Sequence, residues 1–225
     1  MKVTTDACLF GAWVAARVSN SGIHRRCLDI GTGTAVLPLM IAQKNNGISI
    51  DCVEVDQGAA EQANENVQGS PWSNRLSVIH ADAVNFLYPY QYDIIISNPP
   101  FYEKELRSGD SKRNVAHHDE GLVLPEVLQT IKRNLTSDGN FYLLLPYKRN
   151  EEIKQLLLRQ ELAVSEMVFI RQSPKHNYFR IMLEGKLTMP PSYRETRISE
   201  ISIWDNAQEY TAAFKDLLKD YYLAL

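Results

Sequence analysis

Cysteine is scarce in this chain: 225 residues hold three, at positions 8, 27 and 52. Cys8, Cys27 and Cys52 are odd in number, widely spaced and set among apolar residues. That excludes a disulfide framework and a cysteine metal knuckle, and reads as buried free thiols in a reducing cytoplasm. Long apolar runs are missing too. None approaches the roughly 18–20 residues of a membrane-spanning helix, and no charged-then-apolar signal peptide opens the chain. Nor is there an excess of one charge. With 24 Lys and Arg against 27 Asp and Glu the net charge is −3, so any surface for nucleic acid has to be local. Internal repeats, low-complexity tracts and linkers are absent as well, and the length suits one domain over 1–225 with one sizeable core.

What is present centres on Asp93-Ile94-Ile95-Ile96-Ser97-Asn98-Pro99-Pro100-Phe101. The first half reads as a buried parallel strand. Pro99 and Pro100 stop it, because neither carries an amide proton and each pushes its predecessor out of the helical region. The result is a stiff loop at the strand's carboxyl end, where open α/β sheets bind ligands. It offers the Asn98 amide, the Pro99 carbonyl and the Phe101 ring to one planar group bearing an NH2. That suits group transfer onto an amide or nucleobase nitrogen; a strand with a proline-rich turn is the plainer reading.

Around this stretch the pattern alternates. A helix is expected from Ala7 to Val18, capped by Thr5 or Asp6. Strand Arg26–Ile30 runs into Gly31-Thr32-Gly33-Thr34-Ala35 and a helix from Val36. A second strand, Ile48–Val55, precedes a helix from Gln57, and a third covers Leu76–His80. Residues 102–120 read as a long polar loop. Leu124, Val127, Leu128, Ile131 and Leu135 keep helical spacing, followed by strand Phe141–Leu145 and helix Glu151–Gln160. Leu162–Ile170, Tyr178–Leu187 and Ile198–Trp204 read as closing strands before a last amphipathic helix. The fold class is therefore α/β, a doubly wound, mostly parallel sheet with an antiparallel C-terminal edge. Residues 1–18 form its N-terminal helix, 26–146 its core and 147–225 the closing strands and helix.

Acids mark the strand tips. Asp29 precedes the glycine turn, Glu54 ends the second strand and Asp82 follows the third. Together they suit a ligand rich in donors or positive charge; singly, each reads as a cap, as Asp56 does for the helix behind it. Gly31 and Gly33 let backbone approach a ligand closely. The full dinucleotide fingerprint is lacking, since Ala35 stands in the third glycine's place, a change the helix start tolerates.

Leu28-Asp29-Ile30-Gly31-Thr32-Gly33-Thr34-Ala35, Val53-Glu54-Val55-Asp56, Asp82 and Asn98-Pro99-Pro100-Phe101, in this order, resemble the motifs of class I S-adenosylmethionine-dependent methyltransferases. Met1-Lys2-Val3-Thr4-Thr5-Asp6 with Gly11-Ala12-Trp13, Ser70-Pro71-Trp72 and the tail from Tyr210-Thr211 to Tyr221-Tyr222-Leu223 are similar to bacterial tRNA (adenine-N6)-methyltransferases. These modify the adenine beside the anticodon of valine tRNA, and usually carry a further segment ahead of the Met-Lys-Val motif.

The resemblance implies a Rossmann-like sheet of seven strands, S-adenosylmethionine as cofactor and tRNA as partner, without metal or membrane. It implies cofactor-binding roles for Asp29, Gly31, Gly33, Glu54, Asp82 and Asn98. Catalytic roles fall to Asn98, Pro99, Pro100 and Phe101. Ribosomal-RNA guanine-N2 and protein glutamine-N5 methylation use the same or a close motif, and a non-catalytic cofactor- or RNA-binding module is the alternative of a different class. His117-His118-Asp119 reads as a solvated loop or RNA contact. Arg171, Lys175, Arg180, Lys186, Arg194 and Arg197 read as a phosphate-contacting face on edge strands, or as solubilising edge charges.

Overall fold

The structure is a computed structural model that describes residues 3–18, 24–99, 123–187 and 195–224. Strands β1 (Arg25–Ile30), β2 (Ile48–Glu54), β3 (Leu76–His80), β4 (Tyr92–Ser97), β5 (Leu135–Pro146), β6 (Leu162–Arg171), β7 (Tyr178–Leu187) and β8 (Arg197–Ser202) make one sheet in the order β3-β2-β1-β4-β5-β7-β6-β8. β1 to β5 are parallel, and β7 runs against both neighbours. The sheet has eight strands where seven are expected. The extra one is β8, which pairs in parallel with β6 outside the antiparallel segment. β7 is thus internal, so Arg180 and Lys186 do not lie on an edge, whereas Arg197 lies on the edge strand β8.

Helices cover both faces. On one, α1 (Thr5–Arg17), α2 (Val36–Lys44), α3 (Gln57–Gln68) and α6 (Ala212–Leu218) pack with Phe10, Trp13, Ile41, Ile50 and Met182. On the other, α4 (Leu124–Asn134) and α5 (Asn150–Arg159) pack with Leu28, Val53, Ile95, Phe141 and Leu183. Strands buried from both sides explain the near-continuous apolar runs of β4 and β5. Between β3 and β4 no helix forms among residues 81–91. Tyr90 in this segment and Tyr92 at the start of β4 donate their hydroxyls to Asp51 Oδ2, each across 2.7 Å.

The start of α1 differs from expectation. Its cap is Thr4, and Asp6 lies inside the first turn, where its carboxylate accepts from Arg180 Nε across 2.7 Å. Asp56 caps α3 as expected, accepting from the Ala59 amide at 2.8 Å.

Candidate active site

Strand order reverses between β1 and β4, so the loops behind them diverge and leave a crevice at the sheet's carboxyl edge. Ile30 and Ser97 are register partners, and the Ser97 hydroxyl donates to the Ile30 carbonyl across 2.7 Å. The glycine turn and Asn98 thus leave the sheet side by side.

The turn is held from β2. The Gly31 and Thr32 amides both donate to the Val53 carbonyl, at 2.9 and 3.0 Å. Glu54 takes over at the next residue: its Oε2 accepts from the Gly33 amide at 2.8 Å, while Oε1 accepts from Val55 and Asp56. Gly31 (φ +71°) and Gly33 (φ +57°) need the left-handed region, and so does Ala35 at φ +63°. The helix therefore starts from a strained alanine where glycine would sit without cost. A side chain at Gly31 would point into open space, which leaves its backbone clear for a ligand.

Asp29 is fully buried beneath this turn. Thr32 donates its hydroxyl to Oδ2 at 2.6 Å, and Oδ1 has no partner. Burial pushes its carboxyl up to about 7, with Glu54 adding to the rise. A buried carboxylate oxygen without a donor fits a ligand that brings its own, such as an ammonium. Asp82 is exposed and meets its own turn, accepting from the Val84 amide at 2.9 Å and Asn85 Nδ2 at 2.6 Å. Its oxygens keep lone pairs that a ligand amine can share. The donor-seeking set Asp29, Glu54 and Asp82, with the clear backbone at Gly31, fits a cationic, diol-bearing nucleoside such as S-adenosylmethionine.

Asn98 is half-buried and Pro99 buried at the end of β4. Among the described residues no hydrogen bond of the Asn98 side-chain amide is found. Pro100, Phe101, His117, His118, Asp119 and Arg194 lie outside the described residues. Sequence reading missed Ser97 and Thr32. Their signal was a hydroxyl residue next to each motif, but the partners lie across the sheet and across a turn.

The basic residues of 171–197 differ in their surroundings. Arg180 pairs with Asp6, Arg171 with Glu200, and Arg197 reaches Glu166 at 3.5 Å. Lys175 and Lys186 are exposed. Among the described residues no group of three or more His, Cys, Asp or Glu is placed to hold a metal ion, and no helix is long and apolar enough to cross a membrane.

Comparison with known proteins gives the family and the fold. The model of the methyltransferase small domain matches residues 12–172. A tRNA1(Val) (adenine(37)-N6)-methyltransferase of Dyadobacter fermentans is 33% identical over 224 residues, covering 99% of this chain and 91% of that protein. The protein of that name from Yersinia enterocolitica is 33% identical over 226 residues, covering 99% and 86%. Among solved structures, an Agrobacterium tumefaciens protein described as a predicted O-methyltransferase superposes with a TM-score of 0.73 at 17% identity, covering 95% of both chains. The glycopeptide N-methyltransferase MtfA complexed with S-adenosyl-L-methionine gives 0.59 at 9% identity, covering 81% of this chain and 94% of that one. The structures establish the fold, a class I methyltransferase sheet, and by its sequence the chain belongs to the tRNA1(Val) (adenine(37)-N6)-methyltransferase family.

Proposed function

We propose that the protein methylates the exocyclic N6 amine of the adenine beside the anticodon of valine tRNA, using S-adenosylmethionine, in the cytoplasm and as a single domain. The observation that carries the reading is the Ser97–Ile30 bond, which holds Asn98 beside the acid-lined glycine turn. S-adenosylmethionine supplies a methyl group on an electrophilic sulfonium.

The chain's own residues do the rest by position. Asp29 receives the cofactor's ammonium, Glu54 its ribose hydroxyls and Asp82 its adenine amine. Gly31 and Gly33 give that ligand room along the backbone. The target amine is a poor nucleophile, because its lone pair is delocalised into the ring. Asn98 accepts one of its hydrogens through the side-chain oxygen and Pro99 the other through its carbonyl. Both bonds favour a pyramidal nitrogen aimed along the line of displacement. Pro100 keeps this loop stiff, and Phe101 stacks on the base; the sequence motif assigns both roles. No strong base is required, since the methylated nitrogen sheds its proton readily. The adenine has to leave its stack to enter.

Incubation with methyl-labelled S-adenosylmethionine and total tRNA, followed by nucleoside analysis, tests this. N6-methyladenosine supports it. Methylguanosine in ribosomal RNA or methylglutamine in protein would assign the same motif to another acceptor, and cofactor binding without transfer would make the chain a binding module.

A further inference from the structure

Three aromatic rings meet at the carboxyl edge of the sheet, outside the cofactor crevice. Tyr147 follows the end of β5, Phe169 lies near the end of β6, and Tyr178 opens β7. Their centroids lie 5.2 Å (Tyr147–Phe169), 5.1 Å (Tyr147–Tyr178) and 5.4 Å (Phe169–Tyr178) apart, at interplanar angles of 79°, 54° and 46°. All three residues are half-buried. The rings meet edge-on or tilted rather than in parallel stacks, and Tyr147 and Phe169 also rest against the core on the α4–α5 side.

The sheet builds this cluster on purpose. Ile170 pairs with Arg180 and Arg171 with Tyr178, so Phe179 is an extra residue, a bulge. Bulges re-aim side chains near functional edges. Here Phe179 joins the core on the α1 side, while Tyr178 meets Phe169 and Tyr147. The Arg171 guanidinium lies 5.4 Å from the Tyr178 centroid, anchored by Ser202 at 2.9 Å and by Glu200. The Tyr178 hydroxyl also donates to Glu200.

The location gives the cluster a use. β5 is the neighbour of β4, with Leu143 paired to Ser97, and Tyr147 follows Leu143 by four residues, just past the end of β5. Lys148 and Arg149 follow it in the chain, and Lys175 is exposed in the β6–β7 turn. The acids Glu152 and Glu200 are held in ion pairs with Arg149 and Arg171. Aromatic faces bordered by cations are the physical basis for holding unpaired nucleotides.

We propose that Tyr147, Phe169 and Tyr178 form a stacking platform for an unpaired RNA base next to the one that is methylated. This rests on the tRNA reading above. It assigns the docking of the flanking nucleotide to a surface separate from Asn98 and the proline loop.

The test uses the full chain, a valine tRNA transcript, and the same transcript carrying 2-aminopurine on either side of the target adenine. Tyr147→Leu and Tyr178→Leu keep apolar volume and remove the ring. They should weaken RNA binding by about 5–100-fold, leave cofactor affinity and the rate at saturating RNA within about twofold, and Tyr178→Phe should bind as wild type. Binding to the wild-type protein should also quench one 2-aminopurine, and the Leu variants should not. Unchanged RNA affinity in both Leu variants, or no quenching by the wild-type protein, overturns the platform. N6-methyladenosine without quenching keeps the tRNA reading and removes the platform; quenching with the methyl group on another acceptor keeps the platform and removes that reading.

Discussion

Ser97 gives its hydroxyl proton to the Ile30 carbonyl across 2.7 Å in a fully buried position. The bond ties the last residue of β4 to the last residue of β1, so two loops far apart in sequence leave the sheet from one fixed point. Ser97→Ala should cost about 1 kcal/mol of stability. It should also slow methyl transfer several-fold, because small displacements of an orienting residue are expensive, and Ser97→Thr should restore much of it. Denaturant titration and single-turnover rates measure the two effects; turnover at the wild-type level in Ser97→Ala would limit the bond to stability.

Asp29 predicts a pH dependence. Burial raises its carboxyl to about 7, and the groups that face it are the Thr32 hydroxyl, Glu54 and the buried thiols Cys27 and Cys52. The folded protein holds a proton there that the unfolded chain has already released. Stability from this group is therefore present in acid and falls as pH rises from about 4 through about 7. A ligand ammonium favours the carboxylate, so binding expels the proton and tightens as pH rises, by at most about tenfold per unit below pH 7. Titration calorimetry in buffers of different ionisation enthalpy reads that proton. Asp29→Asn should remove the slope and weaken binding; a wild-type affinity flat between about pH 5.5 and 7.5 contradicts the assignment.

Ala35 is the one residue of the turn that pays for its conformation, at φ +63° in a fully buried site. Ala35→Gly should stabilise the protein by about 1 kcal/mol. Ala35→Val should destabilise it, since a branched side chain tolerates this region less. Thermal or denaturant unfolding decides both.

The basic residues separate by their partners. Arg180 is committed to Asp6 of α1, so Arg180→Gln should lower stability without changing how tRNA binding depends on salt. Lys175 is exposed in the β6–β7 turn, so Lys175→Gln should flatten that dependence by about one unit of slope and spare cofactor affinity. Filter binding across a salt series measures each.

Much of this was legible in the sequence because its signals are local. The glycine turn, the strand-tip acids and the doubled proline each announce themselves within a few residues, and alternating apolar runs give the doubly wound sheet. What escaped is long-range. Nothing near Arg180 points to Asp6, which is 174 residues away. Asp51 reads as a polar residue in a strand until Tyr90 and Tyr92 arrive from a segment 39 and 41 residues on. β8 read as a strand, but its parallel place beyond β6 depends on a connection that no local pattern encodes. Ala35 looked harmless as a residue type, and its cost appears only with the backbone angle.

The central claim is that Asn98 orients an adenine amine for methyl transfer, and a single-turnover assay on valine tRNA tests it most directly. With both substrates saturating, Asn98→Ala should form N6-methyladenosine on the order of 100-fold more slowly than wild type, as expected for loss of an orienting contact. Its cofactor affinity and unfolding midpoint should stay near wild type. A rate for Asn98→Ala close to the wild-type rate, or a wild-type product methylated on any other acceptor, would contradict the account.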